Sequence, residues 1–116
     1  MVLVENLTKT DIADDVKHEY FYRMFKSNIS VDSQDGKIEV QSYGIEVERQ
    51  DVIDGCITNI ERDYVNNISP QRHKVHNLLK MLCDNLVSPI HLIDVIGENI
   101  DYYIVDFDNV IKEAAY

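Results

Sequence analysis

Residues 69–91 read SPQRHKVHNLLKMLCDNLVSPIH, and the two Ser-Pro pairs in this stretch, Ser69-Pro70 and Ser88-Pro89, decide the fold. Each pair stands just before a run of apolar residues at helical spacing. A serine hydroxyl can accept from an orphan N–H of a helix's first turn. Proline is tolerated at the first helical position, where its missing N–H would go unpaired anyway. The pairs therefore predict two consecutive helices with Ser69 and Ser88 as their caps. Helix one runs from about Pro70 to Leu86, with Val75, Leu78, Leu79, Leu82 and Leu86 on one stripe. Helix two starts at Pro89, with the stripe Ile93, Ile96, Ile100, Tyr103, Ile104, Phe107 and Ile111. Gly97 costs helix stability, about 1 kcal/mol relative to alanine. The stripe nonetheless keeps its phase across Gly97, which predicts one long helix. Only Asn85, Leu86 and Val87 separate the two helical stretches, so they form a hairpin.

Upstream of Ser69 the period changes from 3.6 to 2. Residues 17–65 read as antiparallel sheet. Tyr20, Phe21, Tyr22 and Phe25 lie in the first strand, and Ile29 and Val31 continue its alternation. Ser33-Gln34-Asp35-Gly36 makes a turn. In the second strand Ile38 and Val40 point one way, and Tyr43, Ile45 and Val47 the other. Strict alternation forbids that switch without an inserted residue, so a β-bulge is expected near Ser42 to Gly44. Asp51 to Gly55 is the next turn, and Cys56 to Val65 the third strand. Residues 1–16 lack a sustained period and carry Asp11, Asp14 and Asp15, so they read as a flexible N-terminal arm. The expectation is one α+β domain over residues 17–116: a three-stranded antiparallel meander, then a helical hairpin packed on one face, in the order βββαα.

The chain has 116 residues, one ordinary domain's length, and can bury a core without disulfides or metal. No apolar run approaches the ~20 residues that span a bilayer. Cys56 and Cys83 form no metal or redox spacing, and they read as reduced thiols of a cytosolic protein. Net charge is −10. Half of it falls in residues 89–116, which carry six acids and one base. A surface so acidic disfavours direct binding to nucleic-acid phosphates, and an acidic second helix is no recognition helix.

Chemistry is not legible. His73 and His76, and His91 and Asp94, have ligand-like spacing. In a hairpin, however, the two pairs sit roughly 18 Å apart along the axis, so neither closes a metal site and both read as surface residues. No serine elbow, activated cysteine or phosphate-cradling glycine loop occurs. Glu46, Glu48, Arg49, Asp51, Glu61, Arg62 and Asp63 read as cross-strand ion pairs on a solvated face. The segregated acids of helix two are Asp94, Glu98, Asp101, Asp106, Asp108 and Glu113. With Tyr102 and Val105 they suggest an anchor for a basic partner.

The motifs Tyr43-Gly44-Ile45-Glu46-Val47-Glu48-Arg49, Ile60-Glu61-Arg62-Asp63, Ile68-Ser69-Pro70 and Val87-Ser88-Pro89-Ile90-His91-Leu92-Ile93-Asp94 resemble those of a family of small bacterial proteins known only as a domain of unknown function. The resemblance spans residues 18–108. It implies a stand-alone bacterial, cytosolic domain and carries over no activity, cofactor or site residue. The reading is a small acidic cytosolic protein that is not an enzyme and uses no cofactor or metal. It binds another protein, with Asp94, Glu98, Asp101, Tyr102 and Asp108 as contact residues, no membrane role, and self-association open. Two alternatives stay open: an acidic nucleic-acid mimic that inhibits a nucleic-acid-binding protein, and a small enzyme with an unrecognised site.

Overall fold

The change of period at Ser69 marks the boundary between sheet and helices in the computed structural model, which describes residues 1–33 and 36–115. Four strands come first: β1 (Val2–Ala13), β2 (Val16–Ser33), β3 (Gly36–Ile53) and β4 (Cys56–Ser69). Helix α1 (Arg72–Asp84), a 3-10 turn (Pro89–His91) and helix α2 (Leu92–Ala115) follow. The strands form an antiparallel meander in the order β1-β2-β3-β4. The class is α+β as expected, but with four strands, not three.

The added strand is the segment read as a flexible arm. Residues 2–13 pair along β2 from Val2↔Lys26 to Ala13↔Val16. Asp14 and Asp15, in sequence only neighbouring like charges, are the two central residues of a hairpin turn. Their φ values of 52° and 65° lie in the left-handed region, which short-chain Asp tolerates and a two-residue type I′ turn demands. Asp54 and Gly55 do the same between β3 and β4, with φ 51° and 78°. At the intervening turn Ser33 pairs with Gly36, while Gln34 and Asp35 lie outside the described residues.

The bulge expected in β3 is in its neighbour. The β2–β3 register runs unbroken from Lys17↔Val52 to Ser33↔Gly36, so no residue is inserted in β3 against β2. The buried side chains of β3 do change face, from Val40 and Ser42 to Tyr43, Ile45 and Val47. The slip falls between β3 and β4. Tyr43 pairs with Ser69 and Ile45 with Val65, so Asn66, Asn67 and Ile68 span what one residue spans on β3. Asn67 is left-handed (φ 56°), and its Oδ1 accepts from the Ser42 hydroxyl at 2.8 Å. Gly44 makes this crowding feasible: a Cβ there would lie 2.6 Å from the Val65 carbonyl oxygen.

One face of the sheet carries the helices. Tyr20, Tyr22 and Met24 of β2, with Tyr43, Ile45 and Val47 of β3, meet Val75, Leu78, Leu79 and Leu82 of α1 and Leu92 and Ile96 of α2. The hydroxyl of fully buried Tyr22 donates to the Val87 carbonyl at 3.0 Å, tying sheet to interhelix link. Burial, with the nearby Cys83 and Tyr20, pushes that phenol's pKa well up. Helix α1 ends at Asp84, short of Leu86. Val87 N–H donates to Leu82 O and Leu86 N–H to Cys83 O, a Schellman closure with Leu86 at φ 51°. Helix α2 continues through Gly97, as its periodicity implied.

The Ser-Pro pairs start the helices without the side-chain caps assigned to them. The N-cap of α1 is Gln71, not Ser69. The Ser69 hydroxyl instead accepts from Gln71 N–H at 3.0 Å, closing a tight turn one step upstream. Ser88 caps the 3-10 turn with no side-chain bond; its carbonyl accepts from His91 N–H.

Candidate interaction surface

An α-helix that buries one side leaves the residues on its opposite side for solvent or a partner. On α2 the buried side is built from Leu92 and Ile96, then Ile100, Tyr103 and Phe107. Asp94, Glu98, Asp101, Tyr102 and Asp108 are all exposed. At 100° per residue Asp94, Glu98, Asp101 and Asp108 share the outer arc with Val105, and Tyr102 flanks it. Tyr102 is 83% exposed and Val105 53%.

The structure departs from the expected stripe and from the expected set of outward acids. Ile93 and Ile104 are 55% and 61% exposed, because the burial axis passes through Leu92 and Tyr103 rather than one residue on. Asp106 does not belong with the outward acids. It lies on the inner flank, where it takes Lys74 Nζ at 2.7 Å and the Ser69 hydroxyl at 3.4 Å. Lys74 also sits 5.2 Å from the centre of the Tyr103 ring. The first turn of α1 thus meets the middle of α2, and the helices run back alongside each other. A spacing of three from Tyr103 was the available signal, since Tyr103 faces in.

The strand charges pair across strands as expected, but on two faces rather than one. On the helix-free face Arg23 meets Glu46 at 2.9 Å and Glu48 at 3.6 Å, and Arg62 meets Glu48 at 3.0 Å. Arg23 also stacks on Phe21. On the helix-bearing face, towards the β3–β4 turn, Asp51 takes His18 Nδ1 at 2.5 Å, Arg49 Nε at 3.0 Å and Asn59 Nδ2 at 3.2 Å. Arg49 also reaches Glu61 at 3.0 Å. Burial works against the charge on Asp51, but the bonds from His18, Asn59 and Arg49 outweigh it and hold the carboxyl below its ordinary range. Sequence reasoning missed His18 here, because its partner lies 33 residues away and only the register Asp51↔His18 joins them.

The remaining candidates are dispersed. His76 Nδ1 contacts Glu5 Oε2 at 2.7 Å, while His73 and His91 are exposed. Among the described residues no three metal-ligating side chains gather. Both cysteines are free; Cys56 is exposed and Cys83 half-buried, where desolvation raises its thiol pKa. No helix of the described residues is long and apolar enough to cross a membrane.

Residues 1–102 match a family of unknown function, DUF6514, and the chain belongs to that family. The match includes the N-terminal strand, which the resemblance over residues 18–108 had left out. No curated protein and no solved structure matches the chain.

Proposed function

We propose that this member of a family without an assigned function is a non-enzymatic interaction module of the bacterial cytosol. Its outward α2 face binds a basic protein. The observation that supports this is the make-up of that face. Solubility calls for charge, and Asp94, Glu98, Asp101 and Asp108 supply it. Among them an aromatic ring and an aliphatic side chain, Tyr102 and Val105, stand exposed. A ring with carboxylates round it suits a partner surface of Lys or Arg set about an apolar spot. Coulomb attraction across such a face acts mostly on the association rate.

The test is capture of partners from the host cytosol at graded salt, with mass-spectrometric identification. The triple variant Glu98→Gln, Asp101→Asn, Asp108→Asn should weaken capture and flatten its salt dependence while the unfolding midpoint stays put. Undiminished capture would mean that the face is solvated surface only.

A further inference from the structure

Strand β4 is the last strand on its side of the sheet, and no strand pairs with its outer edge. Residues 56–62 are exposed one after another, so neither face of the strand is covered there. In an antiparallel ladder successive residues turn their backbone groups alternately towards the neighbour and away. The Tyr64 N–H donates to Asp63 Oδ1 at 2.8 Å, so it points away from β3. By alternation Arg62 and Ile60 point outward too. Among the described residues no backbone–backbone bond reaches these groups from outside the ladder. Edges are commonly guarded by lysine, proline or a bulge. The opposite edge, β1, has Lys9 and a slip between Leu3 and Glu5. The run Asn59–Tyr64 has neither lysine nor proline and pairs with β3 without interruption.

A groove of about 480 Å³ follows this edge, lined by Ile60, Glu61, Arg62, Asp63, Pro89 and Ile90. Side chains of consecutive strand residues leave on opposite faces. Four in a row line one groove only where it runs along the strand's edge. The far wall is apolar: Ile90 is 75% exposed, with Pro89 buried behind it. The charges are unequal. Glu61 is held by Arg49 and Arg62 by Glu48, each at 3.0 Å. Among the described residues Asp63 has no cation at ion-pair distance; its one bond is to its own neighbour's N–H.

We propose that the free edge of β4 takes an extended segment of a partner protein as a fifth strand, with alternating basic and apolar side chains. The basic residues meet Asp63 on the helix-bearing face, their stems against Ile90. The apolar residues lie opposite Ile60 and Tyr64 on the other face. Main-chain bonds supply affinity, and alternate side chains supply selectivity. A second copy of the chain fits less well. Two chains of charge −10 repel, and pairing β4 with itself about Arg62 sets Glu61 opposite Asp63. This surface is separate from the outward face of α2 and does not depend on it.

The experiment uses the full chain, isotope-labelled, and an acetylated, amidated peptide of four Lys-Val repeats. A control peptide has the same side chains and charge but an N-methyl group on every residue, so that neither of its edges can donate to a strand. The expected result is slowed amide exchange at Ile60, Arg62 and Tyr64 with the first peptide and not the second. Asp63→Lys and Ile90→Ser should each weaken binding about threefold to tenfold. Ile90 is exposed, so the second variant keeps the fold if the first does not. The proposal is overturned if both peptides bind equally, if protection falls on β1, or if the α2 triple variant abolishes binding while Asp63→Lys leaves it intact. It is also overturned if the chain alone sediments as a dimer with those three amides already protected.

Discussion

Gly44→Ala and Gly97→Ala make the same chemical change and should move stability in opposite directions. A Cβ on Gly44 would sit 2.6 Å from the Val65 carbonyl oxygen and 3.0 Å from Asn66 Cα, both backbone atoms of β4. Reaching an ordinary C···O approach of about 3.3 Å requires β4 to retreat by roughly 0.7 Å. No side-chain rotation can supply that. The retreat acts on the one place where the β3–β4 ladder already slips, between Tyr43↔Ser69 and Ile45↔Val65. Overpacking of this kind costs about 1–3 kcal/mol. The stiffer unfolded chain returns only ~0.4–1 kcal/mol, so the net is a loss. For a domain of this size about 1 kcal/mol corresponds to a melting shift of roughly 4 °C. A Cβ on Gly97 meets nothing within 4 Å and lies inside α2, so alanine there should gain up to ~1 kcal/mol. Urea unfolding followed by circular dichroism, with midpoints compared at constant m, reads both changes. If Gly44→Ala matches the parent, or Gly97→Ala proves the more damaging, the close approach of β4 is not what Gly44 serves.

Three further outcomes are expected. Leu79→Ala and Leu82→Ala, both at fully buried positions of α1, should each cost about 2–5 kcal/mol in the same assay. A loss under ~1 kcal/mol, small for a core position, would place that stripe outside the core. Asp51→Asn should destabilise the chain at neutral pH. Because the Asp51 carboxyl is held below its ordinary value of 3.8, its contribution is present above that pH and fades as acid titrates the folded form. The gap between variant and parent should therefore close only below about pH 4, and a gap constant to pH 2 would refute the linkage. Iodoacetamide should modify exposed Cys56 well before half-buried Cys83, whose thiol is desolvated; peptide mapping with time decides it.

Elements marked by local geometry were legible. The stripe of α1, the phase kept across Gly97 and a turn closing at Gly55 all follow from which residues can share a face or adopt a positive φ, although that turn is only Asp54-Gly55 and Asp51 to Ile53, expected in it, belong to β3. β1 was less so. Its Val-Leu-Val and Thr-Lys-Thr runs are strand-like, but acids and polar residues interrupt the alternation, and a strand at an edge draws its stability from its neighbour. Only the pairing of Val2–Ala13 with β2 makes that segment a strand. The exposure of Asp94, Glu98, Asp101, Tyr102 and Asp108 followed from the helical period alone. The inward position of Asp106 did not, because it depends on Lys74 arriving from the other helix.

By itself the sequence determined the order of strands before helices, the boundary at Ser69, the face of α1 that is buried and the acidity of the exterior of α2. These depend on dihedral preferences and on periods of two and 3.6 residues, which act over a few neighbours. The tertiary structure alone decided where the sheet ends, which strand absorbs the slip opposite Gly44, which carboxylates find cations and which backbone edge no strand pairs with. Each of these is a relation between segments tens of residues apart, and a backbone group or a charge has no partner until the fold brings one to it.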